Sequence, residues 1–129
     1  FARIYAKHRF PKASFEFGSP SEHAWDIKVI QPDQSEIKVQ VKAVSAHSQT
    51  SRVSPIHPGW HQLWLMRLNE HLQPQALWII EAKNSAWSKA PLRNRTMPKL
   101  GSPQSGSVEL RGGNNETSNL LAALATANP

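Results

Sequence analysis

Residues Glu36 to Ser45 read EIKVQVKAVS. Ile37, Val39, Val41 and Ala43 alternate with Lys38, Gln40, Lys42 and Val44, the period of two that sends successive side chains to opposite faces of a β-strand. Just upstream, Ala24 to Ile30 (AWDIKVI) carries the same period, with Trp25, Ile27 and Val29 on one face and Asp26 and Lys28 on the other. The intervening Gln31-Pro32-Asp33-Gln34-Ser35 has turn chemistry, so the two strands are expected to pair antiparallel. Gln40 and Lys42 then point the same way, and the turn can bring Asp26 beside them. A carboxylate, an amide oxygen and an ammonium on one face can hold a divalent cation and a phosphate. Solvated residues on the open face of a sheet would show the same spacing.

Working outward, Phe1 to Phe10 (FARIYAKHRF) reads as the end of a basic helix or an extended lead-in, stopped by Pro11. Ala13 to Phe17 is a weakly alternating first strand, and Gly18-Ser19-Pro20-Ser21 a turn. His47 to Pro58 has no periodicity and is expected to lie as a loop over the site. Gln62 to Leu68 (QLWLMRL) and Gln75 to Glu81 (QALWIIE) are apolar strands joined by a turn, a second hairpin with Trp64 and Trp78 in the core. Lys83 to Gly106 is polar, basic and interrupted by Pro91, Pro98 and Pro103. Ser107 to Leu110 is a candidate last strand and Gly112 to Asn115 a turn. Thr117 or Ser118 is the expected cap of a short helix from Asn119 to Ala127. The fold class is α/β (α+β), with low helix content.

The chain has 129 residues, enough for one domain, with 39% hydrophobic and 19% charged residues. Its formal net charge is +6, which suits a polyanionic partner, most often nucleic acid, although surface charge that only aids solubility has the same composition. The absence of cysteine excludes disulfides, thiolate metal sites and cysteine nucleophiles, and fits a cytoplasmic protein. No apolar stretch reaches membrane-spanning length. The first residue is Phe1, so the sequence reads as a fragment, a processed form or an N-terminally incomplete chain, to which an upstream helix could add a site residue.

The strand carrying Asp26, followed by one carrying Gln40-Val41-Lys42, resembles the PD-(D/E)XK nuclease superfamily, the fold of many restriction endonucleases. The similarity spans about Phe15 to Glu81. In that family an Asp near the start of one strand precedes a (Glu/Asp/Gln)-x-Lys on the next. The resemblance implies a restriction-endonuclease-like mixed β-sheet core with few short flanking helices. It also implies a magnesium-dependent endonuclease (manganese being the substitute) cutting DNA, type II restriction chemistry on double strands, and a homodimer as one assembly. Asp26, Gln40 and Lys42 take the catalytic positions. Asp26, Gln40 and the backbone carbonyl of Val41 take the metal, and Lys42 orients the attacking water or stabilises charge on phosphate. Gln40 stands where the family more often has a carboxylate, which removes a negative charge from the site. Glu16 or Glu22 is a candidate for a further carboxylate.

DNA contacts are expected from Arg52, Lys83, Lys89, Arg93, Arg95 and Lys99, with Ser48, Gln49 and Asn94 able to meet bases. His57 and His61 lie four apart, as on zinc-binding helices, but Pro58 and Gly59 between them argue against a helix and no third ligand is evident. His47 with Ser45 or Ser48 lacks a partnered acid for hydrolase chemistry. Two other functions remain open from sequence: a nucleic-acid-binding module without catalysis, a nuclease toxin acting on RNA or DNA being a variant of the first reading, and a small β-rich interaction domain whose charge is incidental.

Overall fold

The computed structural model describes residues 1–18, 25–48, 50–84, 92–93, 95–97, 110 and 113–127. These form helix α1 (Ala2–Arg9), strands β1 (Ser14–Phe17), β2 (Ile27–Ile30), β3 (Glu36–Ser45), β4 (Gln62–Leu68) and β5 (Pro74–Glu81), a 3-10 turn (Ala82–Asn84), strand β6 (Asn114–Asn115) and helix α2 (Thr117–Ala127). The strands make one mixed sheet in the order β1-β2-β3-β4-β5-β6. All neighbours are antiparallel except β3 and β4, which run parallel from Val39↔Gln62 to Ser45↔Leu68. A parallel pair needs a crossover, and residues 46–61 supply it. The architecture is therefore α+β, with a mixed sheet and two short helices.

β3 spans the residues its alternation predicts, and it pairs with β2 through Ile27↔Val39 and Val29↔Ile37. The turn before it is closed by Gln31 N–H donating to the Ser35 carbonyl at 2.9 Å, while Asp33 Oδ1 accepts from Ser35 N–H at 2.9 Å and Ser35 Oγ at 2.6 Å. β2 begins three residues later than its pattern suggests, at Ile27, although Asp26 still donates its N–H to the Val39 carbonyl at 2.7 Å.

Both faces of the sheet are covered, by different means. On one face Ile27, Val29, Val39, Trp64, Met66, Leu77 and Ile79 pack against Tyr5 and Ala6 of α1 and Leu120 and Ala123 of α2. On the other, Val44, Leu63, Leu65, Trp78 and Ile80 are covered by irregular chain that contributes Val53, Ile56, Trp60, Met97 and Leu110. Strands buried on both faces read as continuous apolar runs, which explains QLWLMRL and QALWIIE. The face carrying Gln40 is consequently no open solvated surface: Gln40 is only 2% exposed.

Two local expectations are corrected. Asn114–Asn115, read as a turn, is an edge strand paired with Ile79 and Trp78. Gly113 admits this approach, since a Cβ there would lie 2.9 Å from Trp78 Cβ. The Thr117 hydroxyl, an expected cap, instead accepts the Leu77 N–H at 3.0 Å, and the Thr117 N–H donates to Asn115 Oδ1 at 3.0 Å. Tertiary pairing with β5 takes the hydroxyl that an isolated helix would use on itself. The candidate strand at 107–110 falls largely outside the described residues.

α1 is tied to α2 by Tyr5, whose hydroxyl donates to Glu116 Oε2 at 3.3 Å and accepts from Arg9 Nη1 at 3.2 Å. Burial pushes the Tyr5 phenol above its usual value near 10, with Arg9 partly opposing. A phenol whose folded pKa is raised contributes stability present below the unfolded pKa and lost as pH climbs through the folded one. Tyr5→Phe is expected to cost about 1 kcal/mol at neutral pH and to flatten the stability loss above pH 10. Urea titrations at neutral and alkaline pH check both. The chain has one tyrosine, so tyrosinate absorbance reports this group alone.

Candidate active site

At the end of β2, Asp26 is held by its own backbone. Its carbonyl accepts the Gly18 N–H at 2.8 Å, and a Cβ on Gly18 would sit 2.6 Å from the Trp25 carbonyl oxygen, so the close approach requires glycine. Asp26 Oδ2 accepts the Val41 N–H at 2.7 Å. β3 runs on past the end of β2, and the carboxylate takes the place of the missing strand residue. Peptide groups of one strand residue point to the same side, so the Val41 carbonyl also faces the Asp26 edge. Asp26 Oδ1 has no hydrogen-bond partner among the described residues.

Lys42 lies two residues along from Gln40 on the same face. Its ammonium is half-buried and donates to Ser54 Oγ and to the Pro55 carbonyl, each at 2.8 Å. Burial holds its pKa below the usual lysine value, and the Asp26 carboxylate partly restores it. An ammonium has three donors, so one remains for a ligand. Gln40 engages the backbone of His57 twice: Nε2 donates to the His57 carbonyl at 2.9 Å and Oε1 accepts the His57 N–H at 3.1 Å.

Asp26, Gln40, Val41, Lys42, Ser54, Pro55 and His57 line one cavity of about 300 Å³. The side chains singled out on the two strands therefore do converge, and the crossover lies over them as a loop. Ser54 and Pro55 are singled out in the sequence only as part of the expected loop, and His57 only as half of a spaced histidine pair. They reach the cavity because β3 and β4 are parallel, a long-range pairing with no local signal.

The other candidates are distributed as follows. Glu16 makes an ion pair with Lys28 at 3.4 Å; Glu22 lies outside the described residues. Arg52 is exposed and bridges to Thr96, and Ile56 bridges to Leu92, so the crossover pairs antiparallel with residues 92–93 and 95–97 in a short ribbon. That ribbon carries Arg52, exposed Arg93 and half-buried Arg95 on the two segments that pair there, one of which supplies Ser54, Pro55 and His57 to the cavity. Lys83 is exposed after β5, beyond His61, whose carbonyl accepts the Ala82 N–H at 2.8 Å. Lys89, Lys99, Gln49 and Asn94 lie outside the described residues. The Lys38 N–H donates to His61 Nδ1 at 2.8 Å, and a backbone N–H can only donate, so His61 is committed to β3 through that nitrogen. No group of three or more His, Asp or Glu side chains suited to a metal occurs among the described residues. No helix among them is long and apolar enough to cross a membrane.

No protein-family model matches this chain, and no curated protein matches it in sequence.

Proposed function

We propose that the chain is a metal-dependent endonuclease acting on DNA phosphodiester bonds, built on a restriction-endonuclease-like sheet. The observation that carries the reading is the convergence of Asp26, the Val41 backbone and the Lys42 ammonium on one cavity. The mixed sheet with two short helices is compatible with that fold. A net charge of +6 supports a polyanionic substrate.

The donor set fits Mg²⁺ or Mn²⁺ bound jointly with substrate. Magnesium takes oxygen ligands, keeps several waters and commonly uses only one or two carboxylates plus phosphates. Asp26 Oδ1 and the Val41 carbonyl would hold it. Bound there, the ion supplies neutralisation of phosphate charge and a more acidic water. The chain's own groups do the rest. The Val41 N–H fixes the Asp26 carboxylate, and the Ser54 hydroxyl and Pro55 carbonyl fix the Lys42 ammonium. Lys42 then directs its remaining donor at a phosphate oxygen or the attacking water, a preorganised charge facing the charge that develops in the transition state.

Among the described residues Asp26 is the single carboxylate lining the cavity, which also favours a second reading, a nucleic-acid-binding module without catalysis. Incubation with supercoiled plasmid and Mg²⁺ or Mn²⁺ separates them: nicking or linearisation that EDTA stops supports the nuclease, and retarded but intact DNA supports the module. In either case the exposed Arg52 and Arg93 would hold phosphate. Arg52→Ala and Arg93→Ala are each expected to lower the slope of log affinity against log salt by about 1. Fluorescence anisotropy over a salt series measures this, and an unchanged slope removes the ribbon from the DNA path.

A further inference from the structure

We infer that Gln40 is a positioning residue: its amide splints the crossover chain onto β3 and so fixes the cradle of the Lys42 ammonium, in place of ligating an ion. The functional consequence rests on the nuclease reading; the splint itself does not.

Gln40 and Lys42 project from the same face of β3, about 7 Å apart at the rise of a strand. Lys42 meets Ser54 and Pro55, whereas Gln40 meets His57. The crossover thus runs antiparallel above β3, pinned by side chains where a ladder would use backbone. The Gln40 amide offers one carbonyl and one NH₂, and His57 answers with one N–H and one carbonyl at 3.1 and 2.9 Å. This reproduces a peptide–peptide pair. Glutamate lacks the donor, lysine lacks the acceptor, and asparagine is one methylene short. At 2% exposure the amide cannot exchange these bonds for water, and leaving them unmade would be costly. Its oxygen, the atom a cation would need, faces the His57 N–H. Among the described residues, the chain's share of an ion site then reduces to Asp26 and the Val41 carbonyl, with phosphate and water to complete it.

The two roles predict opposite outcomes for Gln40→Glu. A ligand role makes Mn²⁺ binding tighter, because a carboxylate replaces an amide. A splint role leaves Mn²⁺ affinity in the absence of DNA within about threefold, since the added charge also breaks the His57 carbonyl bond. Titration calorimetry on the full chain with Mn²⁺ alone reads this. Gln40→Leu removes the acceptor, and the His57 amide is expected to exchange about tenfold faster in NMR hydrogen exchange. Cleavage is expected to fall about 100-fold in kcat, the scale of a misplaced catalytic group, with DNA affinity little changed. A purely structural role would lower thermal stability and DNA affinity together without that split. Should Gln40→Leu fail to fold, Gln40→Asn carries the same exchange and kcat expectations. At least tenfold tighter Mn²⁺ binding in Gln40→Glu, or unchanged His57 exchange in Gln40→Leu or Gln40→Asn, overturns the inference. If the wild-type chain cuts no DNA, the nuclease reading fails visibly, and the exchange and Mn²⁺ measurements still decide the splint.

Discussion

Lys42→Met is expected to reduce DNA cleavage by about 10³-fold, the upper range for deleting one preorganised charge donor, without destabilising the fold. Methionine nearly matches the length of the lysine stem and removes only the ammonium. The folded pKa of Lys42 lies below its unfolded value of 10.5 because burial penalises the charged form. The unfolded chain therefore holds this proton more tightly, and stability rises with pH as the folded pKa is passed on the way to 10.5. At neutral pH the charge is a cost that methionine relieves. Ser54 and Pro55 are exposed, so the oxygens left behind can turn to water. The melting temperature should stay level or rise while cleavage is lost. A residue that costs stability yet supports turnover is placed for chemistry. A Lys42→Met protein that cuts normally would sink the assignment, and one that unfolds would return Lys42 to a structural role.

Asp26→Asn should be as damaging to cleavage, by about 10³-fold, and should also weaken Mn²⁺ binding. Asparagine keeps a carbonyl oxygen to accept the Val41 N–H, so the end of β2 stays paired. Exchanging a charged for a neutral hydrogen bond costs about 1 kcal/mol. Among the described residues, it removes the only carboxylate lining the cavity. Asp26→Ala is less informative, because it also strands the Val41 N–H and mixes a folding defect of about 1–3 kcal/mol into the readout. Plasmid cleavage, Mn²⁺ calorimetry and urea unfolding on the same preparations separate the terms. Normal cleavage in Asp26→Asn would remove the carboxylate from the reaction.

Much of the sheet was legible because its signals are local. The alternation of Ile37, Val39 and Val41 marks β3, and Asp33 with Ser35 marks the turn before it. The apolar runs in β4 and β5 mark strands covered on both sides. The convergence of Asp26 with Lys42 was legible for the same reason, since a short turn and a period of two determine it. Gln40 was harder to place. In sequence a glutamine between Val39 and Val41 looks like a polar side chain free to bind something, and its partner lies 17 residues away. Thr117 misled in the same way: a hydroxyl at a helix start reads as a cap until β5 arrives beside it.

By itself, then, the chain's pattern determined which residues extend, where the first hairpin turns and which polar side chains share its face. Each of those depends on neighbours within a few bonds, where sterics and periodicity act directly. Folding in three dimensions decided that β4 would lie parallel to β3, that the crossover would roof the polar face, and that Gln40 would be buried against His57. Those outcomes depend on burying two apolar faces at once across long stretches of chain, a demand that no short window of residues expresses.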